Sequence, residues 1–132
     1  MRMIDTKSAP RPAGHYSQAV VHAGLVFVAG QVPRNAGTEG ACLSSVIEQT
    51  RLVLKNLDAI LEAANSGREH VIKITVYLVD VGDWGQVDEI LKRFFGEHRP
   101  ARTIVPVPTL RHNYRIEVDA LAAEKPSACR SG

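Results

Sequence analysis

Three side chains in this sequence could take part in anion binding or acid–base chemistry. Arg102 begins a predicted strand, Glu117 lies in an alternating apolar and polar segment, and Tyr16 follows a glycine-containing turn. Each also has an ordinary structural interpretation: a strand-end arginine that is solvated or paired with Glu117 or Asp119, a glutamate on a wet sheet face, and a packed aromatic. Taken by themselves, these residues predict no reaction.

The motifs of several other chemistries do not occur. The sequence contains no GxGxxG or Walker loop and no GxSxG elbow, which argues against nucleotide binding and serine hydrolysis. The histidines lack HxH, HxxxH and HExxH spacing, so we expect no metal site. The five are His15, His22, His70, His98 and His112.

Hydrophobic periodicity predicts two helices. Apolar residues recur at three- and four-residue steps from Leu43 to Ala64, and Ser45 with Glu48 forms a capping box near the start. A second stripe predicts a helix over 84–95, with Asp83 as its N-cap and Gly96 as its end.

Alternating segments predict the strands that surround these helices. They are Ser17–Val21 and Leu25–Ala29, joined by a hairpin at His22–Gly24, then Val71–Asp80, Arg102–Val107 and Arg115–Leu121. Pro106 and Pro108 indicate that Arg102–Val107 is an edge strand or is broken by a bulge. The opening residues 1–14 contain Pro10, Pro12 and Gly14 and are predicted to form an extended arm.

The resulting order, β-β-α-β-α-β-β, predicts an α+β fold with two helices on one face of a mixed sheet. In the middle strand, Ile72, Ile74, Val76 and Leu78 are expected on one face, and Lys73, Thr75 and Tyr77 on the other. Nothing within the chain is left to cover that second face, so a second copy is expected to do so.

Composition limits the class of protein. The 132 residues predict a single domain, 1–132, with a core of about 9–122 and a flexible tail at 123–132. A net charge of +2 without a Lys/Arg cluster predicts no nucleic-acid partner, and no apolar run is long enough to predict a membrane span. The start lacks an apolar signal segment, and Cys42 and Cys129 are interpreted as free thiols, so a cytoplasmic location is expected.

Seven separated blocks carry a more specific signal than any single residue. They are Ala9–Ala19, Leu25–Pro33, Gln49–Arg51 with Asn56, Leu57, Ile60 and Leu61, Val71–Asp80, Phe94–Phe95, Pro100–Thr103 and Ile116–Val118. In this order they resemble the reactive-intermediate deaminases, also called the YjgF/RidA family. The resemblance implies a chorismate-mutase-like fold that assembles as a homotrimer with sites between subunits.

The resemblance also implies roles for individual residues. Arg102 would clamp the carboxylate of a small substrate, since a planar guanidinium matches a carboxylate bidentately. The backbone amide of Gly30 would help to hold it, Glu117 would hold or activate water, and Tyr16 would close the pocket. Ile104 and Asp88 stand at further substrate-binding positions. The implied reaction is hydrolysis of 2-imino or 2-aminoenoic acids to 2-oxo acids and ammonia without a cofactor.

The sequence departs from the family pattern around this site. Ile104 replaces a typical cysteine, Ala29 a serine, Asp88 an asparagine, Leu91 a tyrosine and His15 a proline. His15 is interpreted as a rim or surface residue. Two alternatives stay open: a deaminase of a larger enamine, such as an aminomuconate-like acid, and a non-catalytic carboxylate-binding or chaperone-like protein. A ribonuclease or translation-inhibitor function has no support in the sequence.

Overall fold

The computed structural model describes residues 1–35 and 45–126, which contain six strands and two α-helices. In chain order these are β1 Arg2–Ile4, β2 Ala19–His22, β3 Leu25–Gln31, α1 Val46–Ala63, β4 Val71–Leu78, α2 Trp84–Phe95, β5 Ala101–Pro106 and β6 Ile116–Ala123. Single 3-10 turns precede β4, α2 and β6. Within the described ranges neither helix is long and apolar enough to cross a membrane.

The strands form one mixed sheet in the order β1-β2-β3-β6-β4-β5. Among the described strands, β4 and β5 alone are parallel, and they are joined through α2, as a helical crossover requires. Helix α1 packs across β3 and β6, and α2 lies beside α1. The α+β architecture predicted from the sequence is therefore confirmed. The edge position predicted for β5 from its prolines is also confirmed.

The predicted helix boundaries are confirmed, and Asp83 occupies the N-cap position of α2 as predicted, but without a capping hydrogen bond from its side chain. The Ser45 hydroxyl accepts a hydrogen bond from the Glu48 amide at 3.2 Å, and Gly96 ends α2 with φ 63°. Asp83 makes no side-chain cap. Its two carboxylate oxygens instead accept from Arg115 at 2.7 and 2.8 Å, because a charged guanidinium is a stronger donor than a helix amide.

The opening segment is more than an arm. Residues Arg2–Ile4 form β1, which pairs antiparallel with β2. The sheet therefore has six strands, and the five predicted from the sequence were one too few. A three-residue strand carries too short an alternation to be recognised in sequence. The following loop is fixed by buried Gln18, whose amide bonds the backbone of Thr6 and Pro10 at 2.6 to 3.0 Å.

The predicted alternation of β4 fails at one residue. The register against β6 shifts between Val71 and Lys73, so Ile72 is 44% exposed, whereas Ile74, Val76 and Leu78 are buried as predicted. A register shift of this kind moves a side chain to the other face. The chain also continues beyond the predicted last strand: β6 extends to Ala123 and the Lys125 amide bonds Asn65. Cys42, Cys129 and residues 127–132 of the predicted tail lie outside the described residues.

The face of the sheet opposite the helices carries a mixed set of side chains. Phe27 is 48% exposed there, and the Tyr77 hydroxyl donates to the Asp119 carboxylate at 3.0 Å. This hydrogen bond, with burial and the Asp119 charge, raises the pKa of Tyr77 above its ordinary value. No described element covers this face.

Candidate functional site

The site begins at an irregularity in β3. The pairing of β3 with β6 matches Val28 to Ala120 and Gln31 to Val118, so two residues of β3, Ala29 and Gly30, stand opposite one residue of β6. This is a β-bulge, which interrupts the hydrogen-bond ladder and re-aims the neighbouring groups. Bulges of this kind are common beside active sites because they release backbone groups from the sheet.

Gly30 leaves room at the bulge for the Glu117 side chain. A Cβ atom built at position 30 would collide with the Glu117 carboxylate. The carboxylate therefore lies directly against the Gly30 backbone. Burial raises the pKa of Glu117 above its ordinary value, and the nearby Asp119 charge raises it further. A carboxyl group with a raised pKa is a better proton acceptor when it is ionised.

A cavity of about 560 Å³ opens at this point and contains three of the residues identified in sequence. Tyr16, Gly30 and Glu117 all line it. Tyr16 is half exposed at the mouth, where its hydroxyl accepts from the Ala13 amide at 3.3 Å. The bonds of buried Gln18 to the opening loop hold this segment in place. His15 is exposed and does not line the cavity, as its rim or surface interpretation requires.

The rest of the cavity wall was missed in sequence. It comes from Val32 and Arg34 after β3 and from the turn before β6, with Arg111, His112 and Tyr114. Val32 lies within the Leu25–Pro33 block but was given no role, and the other four residues belong to segments without periodicity and lie in none of the seven blocks. The only available sign was the unusual density of charge and ring side chains just before the β6 strand.

Helix α1 holds both segments of this wall, the one after β3 and the one before β6, through two buried side-chain amides. The Asn56 side chain donates to the Arg34 carbonyl at 2.7 Å, and the Gln49 side chain accepts from the Arg115 amide at 2.9 Å. Positions 49 and 56 are seven residues apart, so they lie on one face of the helix. In the turn itself, His112 and Asn113 adopt left-handed backbone conformations, with φ 57° and 58°.

Arg102 lies elsewhere. It pairs in register with Ile74, which faces the helices, whereas Glu117 pairs with Tyr77 on the opposite face of the sheet. The guanidinium donates to the Asp88 carboxylate at 3.1 Å and stacks 4.3 Å from the centre of the Trp84 ring. Arg102 and Asp88 line a separate groove of about 980 Å³. The structural alternative that pairs Arg102 with Glu117 or Asp119 is therefore wrong, because those carboxylates face the other way.

The sequence-identified residues thus form two groups in one chain. Tyr16, Gly30 and Glu117 share the 560 Å³ cavity, while Arg102 and Asp88 share the groove at the β5 edge. Ile104, two residues after Arg102 on the same face of β5, packs against the core. A single chain brings a proton acceptor and a backbone bulge together but leaves its candidate carboxylate clamp on the other side of the sheet.

Comparison with known proteins agrees with this architecture. The family model described as Endoribonuclease L-PSP matches residues 6–124. A RutC family protein of Pyrococcus horikoshii is 42% identical over 120 residues, 91% of this chain and 95% of that protein. The 2-iminobutanoate/2-iminopropanoate deaminase of Rattus norvegicus is 38% identical over 125 residues, 95% of this chain and 91% of that protein. The crystal structure of E. coli TdcF with bound serine superposes with a TM-score of 0.89 at 35% identity, covering 95% of this chain and all of that one (100%).

Proposed function

This chain belongs to the Endoribonuclease L-PSP family, which is the YjgF/RidA family that its sequence resembles, and we propose that it hydrolyses reactive 2-imino acids to 2-oxo acids and ammonia. The observation that carries the proposal is the Glu117 carboxyl, lodged against Gly30 in the cavity with a raised pKa. The deaminase name of the rat relative and the serine bound to the E. coli relative support a small amino-acid-like substrate.

The proposed chemistry needs little from the protein. The imine carbon is already electrophilic, so a positioned water can add to it once a base accepts a proton. Glu117 takes that proton and passes it to nitrogen, which gives a carbinolamine. The carboxylate then takes the hydroxyl proton and delivers it to the amino group as the C–N bond breaks, so that ammonia leaves and the 2-oxo group forms. A 2-aminoenoic acid enters the same route after protonation at C3, which converts it to the 2-imino acid. The bulge at Gly30 offers a backbone amide to the substrate carboxylate.

We further propose that the active assembly is a homotrimer in which Arg102 of one chain completes the cavity of the next. The separation of Arg102 and Glu117 onto opposite faces of the sheet supports a shared site. The uncovered face that carries Phe27 and Tyr77 supports burial against other copies. Sedimentation should then give a particle near three times 14.4 kDa. A catalytically active monomer at micromolar concentration would exclude this arrangement.

A cytoplasmic location is also proposed, and the interpretation of Cys42 and Cys129 as free thiols supports it. Fractionation of cells that express a tagged chain would test it.

The activity is tested by generating the substrate in place. A threonine dehydratase that depends on pyridoxal phosphate releases 2-aminocrotonate, which tautomerises to 2-iminobutanoate, and 2-oxobutanoate formation is followed with and without this protein. The parental protein should accelerate the hydrolytic step. Glu117→Gln should slow it by about 10²–10⁴-fold, because an amide accepts no proton from water. Glu89→Gln, at an exposed position on α2, is the matched control and should retain parental rates.

Two results would contradict the proposal. Parental protein that leaves 2-oxobutanoate release unchanged would exclude deaminase activity on this substrate. Parental rates in Glu117→Gln would assign the carboxyl a structural role only. The non-catalytic alternative is favoured by one observation, the Asp88 ion pair that already occupies Arg102. It predicts that small 2-oxo acids bind without any acceleration of imine hydrolysis.

A further inference from the structure

Two guanidinium groups line the cavity without a carboxylate partner. Arg34 and Arg111 lie on its wall, and neither comes within ion-pairing distance of an acidic side chain among residues 1–35 and 45–126. Among the described residues, Glu117 is the one acidic residue that lines the same cavity. The cavity wall therefore carries an excess of positive charge.

Most other arginines of the described chain are engaged. Ion pairs with a carboxylate occupy Arg2, Arg11, Arg68, Arg93, Arg102 and Arg115. Against this background, two unpaired arginines in one concave site indicate a place for an anion from outside the chain. Their backbones are also held firmly, since Asn56 of α1 bonds the Arg34 carbonyl and the Tyr114 amide bonds the Arg111 carbonyl at 3.2 Å.

A third polar group on the same wall lacks a partner. Tyr114 is only 1% exposed, and its hydroxyl makes no hydrogen bond with the described residues. A buried hydroxyl without a partner is costly to the fold, by about 1–3 kcal/mol. Such groups are rare, and this one belongs to a residue of the cavity wall. The ring of His112 packs edge-on against the Tyr114 ring, 5.8 Å between centres, and fixes its orientation.

We propose that Arg34, Arg111 and Tyr114 form a subsite for a second carboxylate, so that the preferred substrates are 2-imino dicarboxylic acids. This inference rests on the proposed deaminase function, with Glu117 acting at the imine carbon. The hydrolysis is unchanged: water adds, the C–N bond breaks, and a 2-oxo dicarboxylate and ammonia are released. The cavity volume of about 560 Å³ falls in the range of pockets that hold ligands larger than a four-carbon acid.

The test compares two product analogues of equal chain length. 2-Oxoglutarate and 2-oxopentanoate both have five carbons and a 2-oxo acid group, and only the first carries a second carboxylate. Calorimetry on the parental protein should show tighter binding of 2-oxoglutarate by about tenfold or more, as expected for charge-assisted hydrogen bonds. Equal affinity for the two acids would overturn the proposal.

Variants of the two cavity arginines test whether they cause the preference for 2-oxoglutarate. The double variant Arg34→Gln/Arg111→Gln should lower the ratio of the two affinities by about tenfold, and Arg111→Gln alone, at an exposed position, by about threefold. The control Arg93→Gln also removes one positive charge but lies on α2 outside the cavity, and it should leave the ratio unchanged. A parental ratio that persists in both wall variants would overturn the proposal.

Tyr114→Phe separates a ligand-binding hydroxyl from a structural one. Because the hydroxyl has no described partner, its removal should leave the ligand-free melting temperature equal or higher. It should lower 2-oxoglutarate affinity about threefold or more and reduce the stabilisation that this ligand confers. A lower melting temperature with full 2-oxoglutarate affinity would exclude Tyr114 from the subsite.

The failure of the two proposals can be told apart. Turnover of 2-iminobutanoate tests the deaminase reaction, whereas the ratio of affinities tests the second-carboxylate subsite. A preference for 2-oxoglutarate that the wall variants remove, in a protein without turnover, would support the subsite and contradict the reaction. Turnover with no preference between the two acids would support the reaction and contradict the subsite.

Discussion

Mixing two inactive variants provides a strong test of a site shared between subunits. Arg102→Ala removes the proposed clamp, and Glu117→Gln removes the proposed proton acceptor. The two residues lie on opposite faces of one sheet, so a single chain does not bring them together. If Arg102 of one chain serves Glu117 of the next, a trimer that contains both variants has one site with both residues intact.

The expected recovery follows from the geometry of a closed ring. Equimolar chains that reassemble at random place both variants in about three-quarters of the trimers. In each mixed trimer, one of the three boundaries joins an intact Arg102 to an intact Glu117, whatever the proportion of the two chains. About one-quarter of all sites should therefore be restored, giving about a quarter of the parental activity. Each variant alone should fall at least about tenfold below parental activity.

The assay uses co-refolded or co-expressed chains, the coupled dehydratase reaction, and sedimentation to confirm equal assembly. The control for refolding is each variant refolded alone, since recovery there would come from the procedure. The combined variant Arg102→Ala/Glu117→Gln, mixed with parental chains, provides the opposite pattern. A boundary between a double-variant chain and a parental chain never has both residues, so only boundaries between two parental chains are active and mixing lowers the parental activity. A mixture of single variants no more active than its components would refute the shared site.

Further outcomes follow from the same contacts. Gly30→Ala should leave the fold intact, because only the flexible end of Glu117 must move, yet reduce turnover on the order of 10²-fold; parental turnover would show that the carboxylate position is unimportant. Asp88→Asn should release Arg102 and raise the affinity for 2-oxobutanoate by up to about fivefold in calorimetry, whereas weaker binding would assign Asp88 a supporting role. The raised pKa of Glu117 should place the acidic limb of kcat/KM above the ordinary value of 4.5, with activity lost as pH falls through it; a limb at or below 4.5 would contradict this assignment. The same raised pKa should make the free energy of unfolding decrease as pH rises from 4.5 through the folded-state pKa, and Glu117→Gln should remove that decrease in melts across pH.

The regular elements were predictable from sequence because each depends on a local repeat. Helix α1 shows the helical period over many residues and has its Ser45 cap within the same segment, and α2 ends at Gly96, so local physics determines both. The structure departs from the sequence-based predictions where a contact with a residue distant in the sequence determines the local arrangement. Ile72 is exposed because of the register of β4 against β6, and Asp83 binds Arg115 instead of capping its own helix.

The same distinction between local pattern and long-range contact applies to the candidate site. The sequence by itself determined that Glu117, Gly30, Tyr16 and Arg102 belong to one recognisable family pattern. Only the tertiary structure decided that the β3 bulge brings the Gly30 backbone against Glu117, and that Arg102 faces Asp88 on the other side of the sheet. The wall with Arg34, Arg111 and Tyr114 has no sequence period, because its residues converge from two loops that buried amides of α1 hold in place. Convergence of distant loops depends on long-range packing, which a local pattern does not record.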